Sequence, residues 1–271
     1  MTQRGRHRVS GWNTIANRLA RANMRLRLFT PRLREFCFVI GAMKSGTTTL
    51  YHYLAQHPQI APNHFQKEPE FFSGETAPAD LAPFYRQYLP RPFTRQIALD
   101  ASTGYAKRPA FPDVAERLAR LPGRKHFIYM VRHPVDRLES HMAHNIAAGA
   151  VTFGPNDWPD DVDHDLAVSR YAYQLDAYRA AFPGIPVKIV DFQRLASDPL
   201  ALVRDLCSHL GIDPGFAFKE LPPQNTRSRR SDVQAFRLTD TQRAVVTERL
   251  RPDVLRLRDT YGFDVSPWGM T

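Results

Sequence analysis

Apolar residues fall along this chain in short uninterrupted runs, and between the runs they recur at steps of three and four. Phe36–Ile40, Ile97–Asp100, His126–Val131 and Val187–Val190 are the runs, each of the length and composition of a buried strand. After the first run, Leu50, Tyr51 and Leu54 share one helical face, which predicts a helix to about Gln56 that Pro58 stops. Further helices are predicted over Phe111–Leu121, from Pro134 onward, over Leu166–Ala181, from Asp198-Pro199 to Leu210 with Gly211 as C-cap, and over Thr239–Thr260. Residues 58–95, 149–163 and 222–231, rich in Pro, Gly, aromatic or charged positions, read as loops. Strands alternating with helices predict an α/β domain: a parallel sheet with helices on both faces, from about residue 35 to the end. No internal repeat or low-complexity linker divides it.

The first run leads into Gly41-Ala-Met-Lys44-Ser45-Gly46-Thr47-Thr48-Thr49, so strand, tight loop and helix start follow one another. Amides at a helix start lack intrahelical partners and the helix dipole favours anions there, so a lysine beside them completes a phosphate cradle. The triphosphate loop G-x-x-x-x-G-K-[ST] is not matched: the lysine precedes the second glycine, and the chain contains no Gly-Lys pair. That disfavours a nucleotide kinase, although Asp191 at a strand end imitates the Mg²⁺-binding carboxylate of such enzymes. The run at 126–131 leads into a second polar segment, Arg132-His133-Pro134-Val135-Asp136-Arg137-Leu138-Glu139-Ser140.

Composition changes this picture in one place. Of the formal charge of +10, residues 1–34 carry nine arginines and no carboxylate, which leaves the remainder near neutral. The high pI therefore describes an arm and gives no reason to expect nucleic acid as a partner of the main domain. Within the arm, Trp12, Ile15, Leu19, Ala22, Leu26 and Phe29 share one helical face flanked by Arg18, Arg21 and Arg25. Such a helix either docks on its own domain or lies on an anionic membrane surface or a partner. An arm-driven binder of membrane or nucleic acid is the non-enzymatic alternative. No apolar run reaches membrane-spanning length and no signal-peptide h-region is present, so a cytoplasmic location is expected, with membrane association through the arm left open. Cys37 and Cys207 are expected as buried, reduced thiols, and no zinc-like spacing appears. Arginine outnumbers lysine, as in many bacterial chains.

The order Gly41-x-x-Lys44-Ser45-Gly46-Thr47-Thr48 resembles the 5′-phosphosulfate loop of sulfotransferases that use 3′-phosphoadenosine 5′-phosphosulfate (PAPS). The segment Arg132-x-Pro134-x-x-Arg137-x-x-Ser140 is similar to their 3′-phosphate site, and Glu68-Pro69-Glu70-Phe71-Phe72 to the Glu-x-x-Phe-Phe segment of the heparan-sulfate type. The resemblance covers roughly residues 36–268 and implies the P-loop-NTPase-like sulfotransferase fold. It implies PAPS as co-substrate, no metal, and transfer to a hydroxyl or amine of a carbohydrate or small metabolite. Lys44 would neutralise the leaving oxygen, with Ser45, Gly46, Thr47 and Thr48 at the 5′-phosphate. Arg132 and Ser140 would hold the 3′-phosphate, and Arg227, Arg229 or Arg230 would close over the nucleotide from a basic loop. Glu68 would be the general base, with Glu70 as the rival; alternation along a strand would put the two on one side. Ala101 stands where the heparan-type pattern carries a lysine, a departure that bears on the acceptor. His133 and His141 are expected to be structural, whereas His52, His64 and Trp158 are weaker candidates for the acceptor pocket.

Overall fold

The computed structural model describes residues 22, 33–74, 80–88, 96–149, 162–222 and 236–270. Almost all of the arginine arm, Trp158 and the basic loop with Arg227, Arg229 and Arg230 lie outside the described residues.

The first apolar run forms β1 (Glu35–Gly41), and its unbroken hydrophobicity follows from burial on both faces. Phe36, Phe38 and Ile40 enter one core with Phe72, Phe84, Phe127 and Tyr178. Cys37 and Val39 point the other way, into a second core with Leu50, Leu54, Ile128 and Leu206. Both cysteines are free and buried; burial pushes both thiols up, Cys207 to about 11, so neither is a thiolate at neutral pH.

Among the described residues the sheet has five strands in the order β2-β3-β1-β4-β5, where β2 is Ile60–Pro62, β3 Ile97–Asp100, β4 Arg124–Val131 and β5 Val187–Asp191. Every pairing is parallel. From β1 the chain passes to β2 and β3 on one side, while β4 and β5 occupy the other. That divergence opens a crevice beyond the carboxyl ends of the central strands, where open α/β sheets bind ligands. Gly41, Asp100, Val131 and Asp191 all end strands at this edge.

The helices are α1 (Thr47–Leu54), α2 (Ala82–Tyr85), α3 (Val114–Ala119), α4 (Pro134–Ala147), α5 (Val162–Ser169), α6 (Tyr171–Ala181), α7 (Phe192–Ser197), α8 (Pro199–Leu210) and α9 (Asp240–Tyr261). Three differ from expectation. The 58–95 stretch is not wholly loop, since β2 adds as an edge strand beside β3 and α2 packs Phe84 into the aromatic core. The single helix expected over 166–181 starts earlier and is broken at Arg170. The break has a tertiary cause: buried Asp253 of α9 accepts the amides of Ala172 and Tyr173, both at 2.9 Å, and so starts α6 afresh. Finally, α7 precedes Asp198, which then closes α7 and caps α8 through Ala201 N at 3.0 Å.

Candidate active site

The loop from β1 to α1 is shaped by close approach. Ala42 N donates to Met130 O at 2.7 Å, tying the loop to β4, and Ser45 N donates to Ala42 O at 3.2 Å. Lys44 and Gly46 have positive φ, 69° and 83°. A Cβ on Gly46 would lie 2.8 Å from Phe192 Cδ2 and 3.0 Å from Leu195 Cδ2, so only glycine lets the loop rest on α7. The first α1 hydrogen bond to a residue ahead of the helix runs from Leu50 N to Gly46 O, at 3.1 Å. The amides of Thr47, Thr48 and Thr49 precede it, and the first turn holds no acidic residue. This end of α1 is therefore an anion site by its own backbone. Lys44 adds to it: burial lowers its pKa to about 8, with Glu68 opposing the shift and Arg137 and Lys67 adding to it, so at pH 7 the amine is still mostly a cation.

The second segment leaves β4 at the same edge. The Arg132 guanidinium stacks over the Phe192 ring, 5.2 Å from its centroid, and Tyr171 donates its hydroxyl to Arg132 O at 2.8 Å. Phe192 thus floors both segments, touching Gly46 on one side and Arg132 on the other. Ser140 lies on α4, half-buried. Beside it, buried Glu139 accepts Leu238 N at 3.2 Å and pairs with Arg237 and Arg243, which fastens α4 to the chain entering α9. Arg137, named in the same sequence segment, is completely buried; its Nε reaches Ser169 Oγ and its Nη2 reaches Asp165 O, each at 2.7 Å.

The two carboxylates after β2 are not related by strand alternation. Residues 67–70 are irregular and Glu70 has φ 51°, so the expected common side is replaced by two different environments. Glu68 is 37% exposed at its side chain; its Oε1 pairs with the Lys67 ammonium and its Oε2 accepts Thr103 Oγ1 at 3.0 Å. Glu70 is committed inward: it accepts Ser73 Oγ at 2.5 Å and Gly104 N at 2.9 Å, while its own amide donates to Ser102 Oγ at 3.0 Å. Burial holds its pKa above the usual carboxylate range. Both carboxylates therefore converge on the 3₁₀ turn Thr103–Ala106 that follows β3.

That turn has its own anchor. Asp100, fully buried, accepts Ser102 Oγ at 2.6 Å and Tyr105 OH at 2.8 Å, and burial pushes its carboxyl up to about 7. A Cβ on Gly104 would sit 2.2 Å from Glu70 Oε2. Gly104→Ala is expected to displace Glu70 and cost about 1–3 kcal/mol of stability, read as a lower midpoint in chemical denaturation; an unchanged midpoint would show that the turn yields without cost.

Sequence reasoning did not single out Lys67, Thr103, Tyr171 or Phe192 as parts of this site. Lys67 is the most telling, because Ala101, where the family resemblance expects a lysine, is a buried small residue whose amide donates to Lys67 O at 3.3 Å. The ammonium beside Glu68 is that of Lys67. Its adjacency to the Glu-x-x-Phe-Phe segment was the only signal available. Asp191 caps α7 by accepting Gln193 N at 2.8 Å. His133 contacts Trp268 O at 3.2 Å, and His141 lies 3.4 Å from Asp165; burial lowers both pKa values, with Arg137, Lys107 and Lys44 helping to keep His141 neutral. His52 packs against Tyr51, and the His64 amide donates to Gln87 O at 3.0 Å. Among the described residues no group of three or more His, Cys, Asp or Glu is placed to hold a metal ion, and no helix is long and apolar enough to cross a membrane.

A model of the sulfotransferase family matches residues 64–216. The chain is 28% identical over 203 residues to the bifunctional heparan sulfate N-deacetylase/N-sulfotransferase 4 of Mus musculus, a match over 67% of this chain and 23% of that protein. It is 28% identical over 192 residues to the heparan sulfate glucosamine 3-O-sulfotransferase 6 of Homo sapiens, over 67% of this chain and 54% of that one. The match thus spans about a quarter to a half of the length of these curated relatives. A sulfotransferase from Alicyclobacillus acidocaldarius, solved by crystallography, aligns with a TM-score of 0.69 at 27% identity, over 87% of this chain and 99% of that one.

Proposed function

Because the chain belongs to the sulfotransferase family, we propose that it transfers the sulfuryl group of PAPS, in line, to a hydroxyl or amine of a saccharide or small metabolite. The observation that carries this reading is the shared floor: Phe192 meets the cradle at Gly46 and carries Arg132 on its ring, 5.2 Å away. Two cationic segments far apart in sequence are thereby set on one edge of the sheet, as a ligand with phosphate at both ends of a ribose requires. The heparan-sulfate relatives support a saccharide as acceptor.

PAPS, when bound, supplies a sulfuryl group already activated on a 5′-phosphate. The residues at the cradle fit it: the amides of Thr47 to Thr49 at the helix start, no acidic residue in that first turn, and a cationic Lys44. Ser45, Gly46, Thr47 and Thr48 hold the 5′-phosphate. Arg132 and Ser140 hold the 3′-phosphate. Lys44 neutralises the oxygen that leaves with the 5′-phosphate. Glu68, whose side chain is 37% exposed while Glu70 is held by Ser73 and Gly104, accepts the acceptor's proton as it attacks. Arg132 and Ser140 select this donor over ATP, which lacks a 3′-phosphate.

Transfer of labelled sulfate from PAPS to heparan sulfate and to small hydroxyl and amine acceptors tests the reading; no transfer to any of them, together with no PAPS binding, would end it. Arg132→Ala is expected to weaken adenosine 3′,5′-bisphosphate by about 10–100-fold, the worth of a charge-assisted hydrogen bond. Adenosine 5′-monophosphate should be nearly unaffected. Calorimetric titration of both ligands separates the cases, and equal weakening would remove the 3′-phosphate assignment.

A further inference from the structure

We propose that Lys67 is a second catalytic lysine, whose ammonium group holds the sulfuryl oxygens of the donor while they lie between the cradle and Glu68. The inference rests on the PAPS reading above and assigns a residue within it.

Lys67 joins two parts of the site. Its Nζ donates to Thr47 Oγ1, in the first turn of α1, at 3.0 Å, and the same Nζ pairs with Glu68 Oε1. It is the more enclosed partner of that pair, with its side chain 14% exposed against 37% for Glu68. An ammonium has three donors, so these contacts leave one unassigned. The side chain is also held at its base, because Lys67 O accepts Ala101 N at 3.3 Å beside the end of β3.

Charge points the same way. Lys44 and Lys67 are close enough that Lys67 helps lower the Lys44 pKa, and Glu68 is the carboxylate acting on Lys44 against that shift. Two ammonium groups sharing one exposed carboxylate are more cation than a structural ion pair needs. The surplus suits an anion placed between them.

The transfer makes use of it. The acceptor O–H (or N–H) bond breaks and its proton passes to Glu68, while the acceptor atom bonds to sulfur. The bond from sulfur to the bridging oxygen breaks, and its electron pair stays on that oxygen, beside Lys44. The products are the sulfated acceptor and adenosine 3′,5′-bisphosphate. As Glu68 becomes neutral, Lys67 loses its ion-pair partner and its charge falls on the sulfuryl oxygens that remain within reach.

The test compares two ligands that differ by the sulfuryl group. PAPS and adenosine 3′,5′-bisphosphate are titrated by calorimetry into the full-length protein and into Lys67→Met and Lys67→Gln, with no acceptor present. Either variant is expected to bind PAPS about tenfold more weakly, as one lost charge-assisted contact implies, and to bind the bisphosphate within about twofold of the unaltered protein. Thermal unfolding checks that each variant is folded, and the glutamine variant serves if the methionine one is not. Unchanged affinity for both ligands, or equal weakening of both, overturns the assignment; in either case PAPS binding by the unaltered protein leaves the proposed function standing. If the unaltered protein binds neither ligand, both proposals fall together.

Discussion

Replacing Lys44 by alanine is expected to slow sulfate transfer by about 10²–10³-fold, the effect of removing one preorganised charge from the oxygen that becomes negative. Lys44 lies in the loop that Ala42 N ties to β4, with φ 69°, and the Glu68 carboxylate acts on its charge. The loss should fall on kcat, because charge on the leaving oxygen develops only as the bond breaks. Adenosine 3′,5′-bisphosphate should still bind, since the amides of Thr47 to Thr49 and Arg132 remain. A pH profile gives a second reading. Burial sets the Lys44 pKa at about 8, below the ordinary lysine value, so its cation is present below that pH and lost as pH rises through it. The kcat/KM of the free enzyme should therefore decline above about pH 8. Lys44→Arg, whose charge persists across this range, should shed the alkaline limb even where its rate is lower. Full activity in Lys44→Ala, or an alkaline limb unchanged in Lys44→Arg, would move the role elsewhere.

The strands were legible in the sequence because both faces of this sheet are covered, so β1 and β4 appear as plain apolar runs. The cradle and the Arg132 segment were legible because each follows such a run directly. What the sequence hid was set by distant partners. Nothing near Arg170 announces that Asp253 will cap a new helix there. Nothing near Glu70 announces that Ser73, Ser102 and Gly104 will draw it inward. Nor does the sequence reveal Phe192 as a floor, since its value lies in touching Gly46 and Arg132 at once. Motif spacing records neighbours along the chain, whereas these contacts join the carboxyl ends of different strands.

That distinction sharpens the choice between the two carboxylates. Glu68→Gln is expected to lower kcat by about 10²–10⁴-fold, the contribution of a positioned general base. It should leave adenosine 3′,5′-bisphosphate affinity near normal, because the side chain is engaged by Lys67 and Thr103 on the acceptor side of the cradle. Glu70→Gln is expected to act mainly on stability. Its oxygens are occupied by Ser73 Oγ and Gly104 N, and a glutamine replaces one acceptor by a donor facing a hydroxyl already committed to it. The cost should be about 1–3 kcal/mol in unfolding, the range for an interior polar group left without its partner. A buried carboxylate with two fixed donors and a raised pKa has the chemistry of a brace. One with an exposed edge, an adjacent ammonium and a single hydroxyl donor has the chemistry of a base. Steady-state kinetics paired with denaturation of the same two variants decides between them: a slow but stable Glu70→Gln with a fully active Glu68→Gln would exchange the roles.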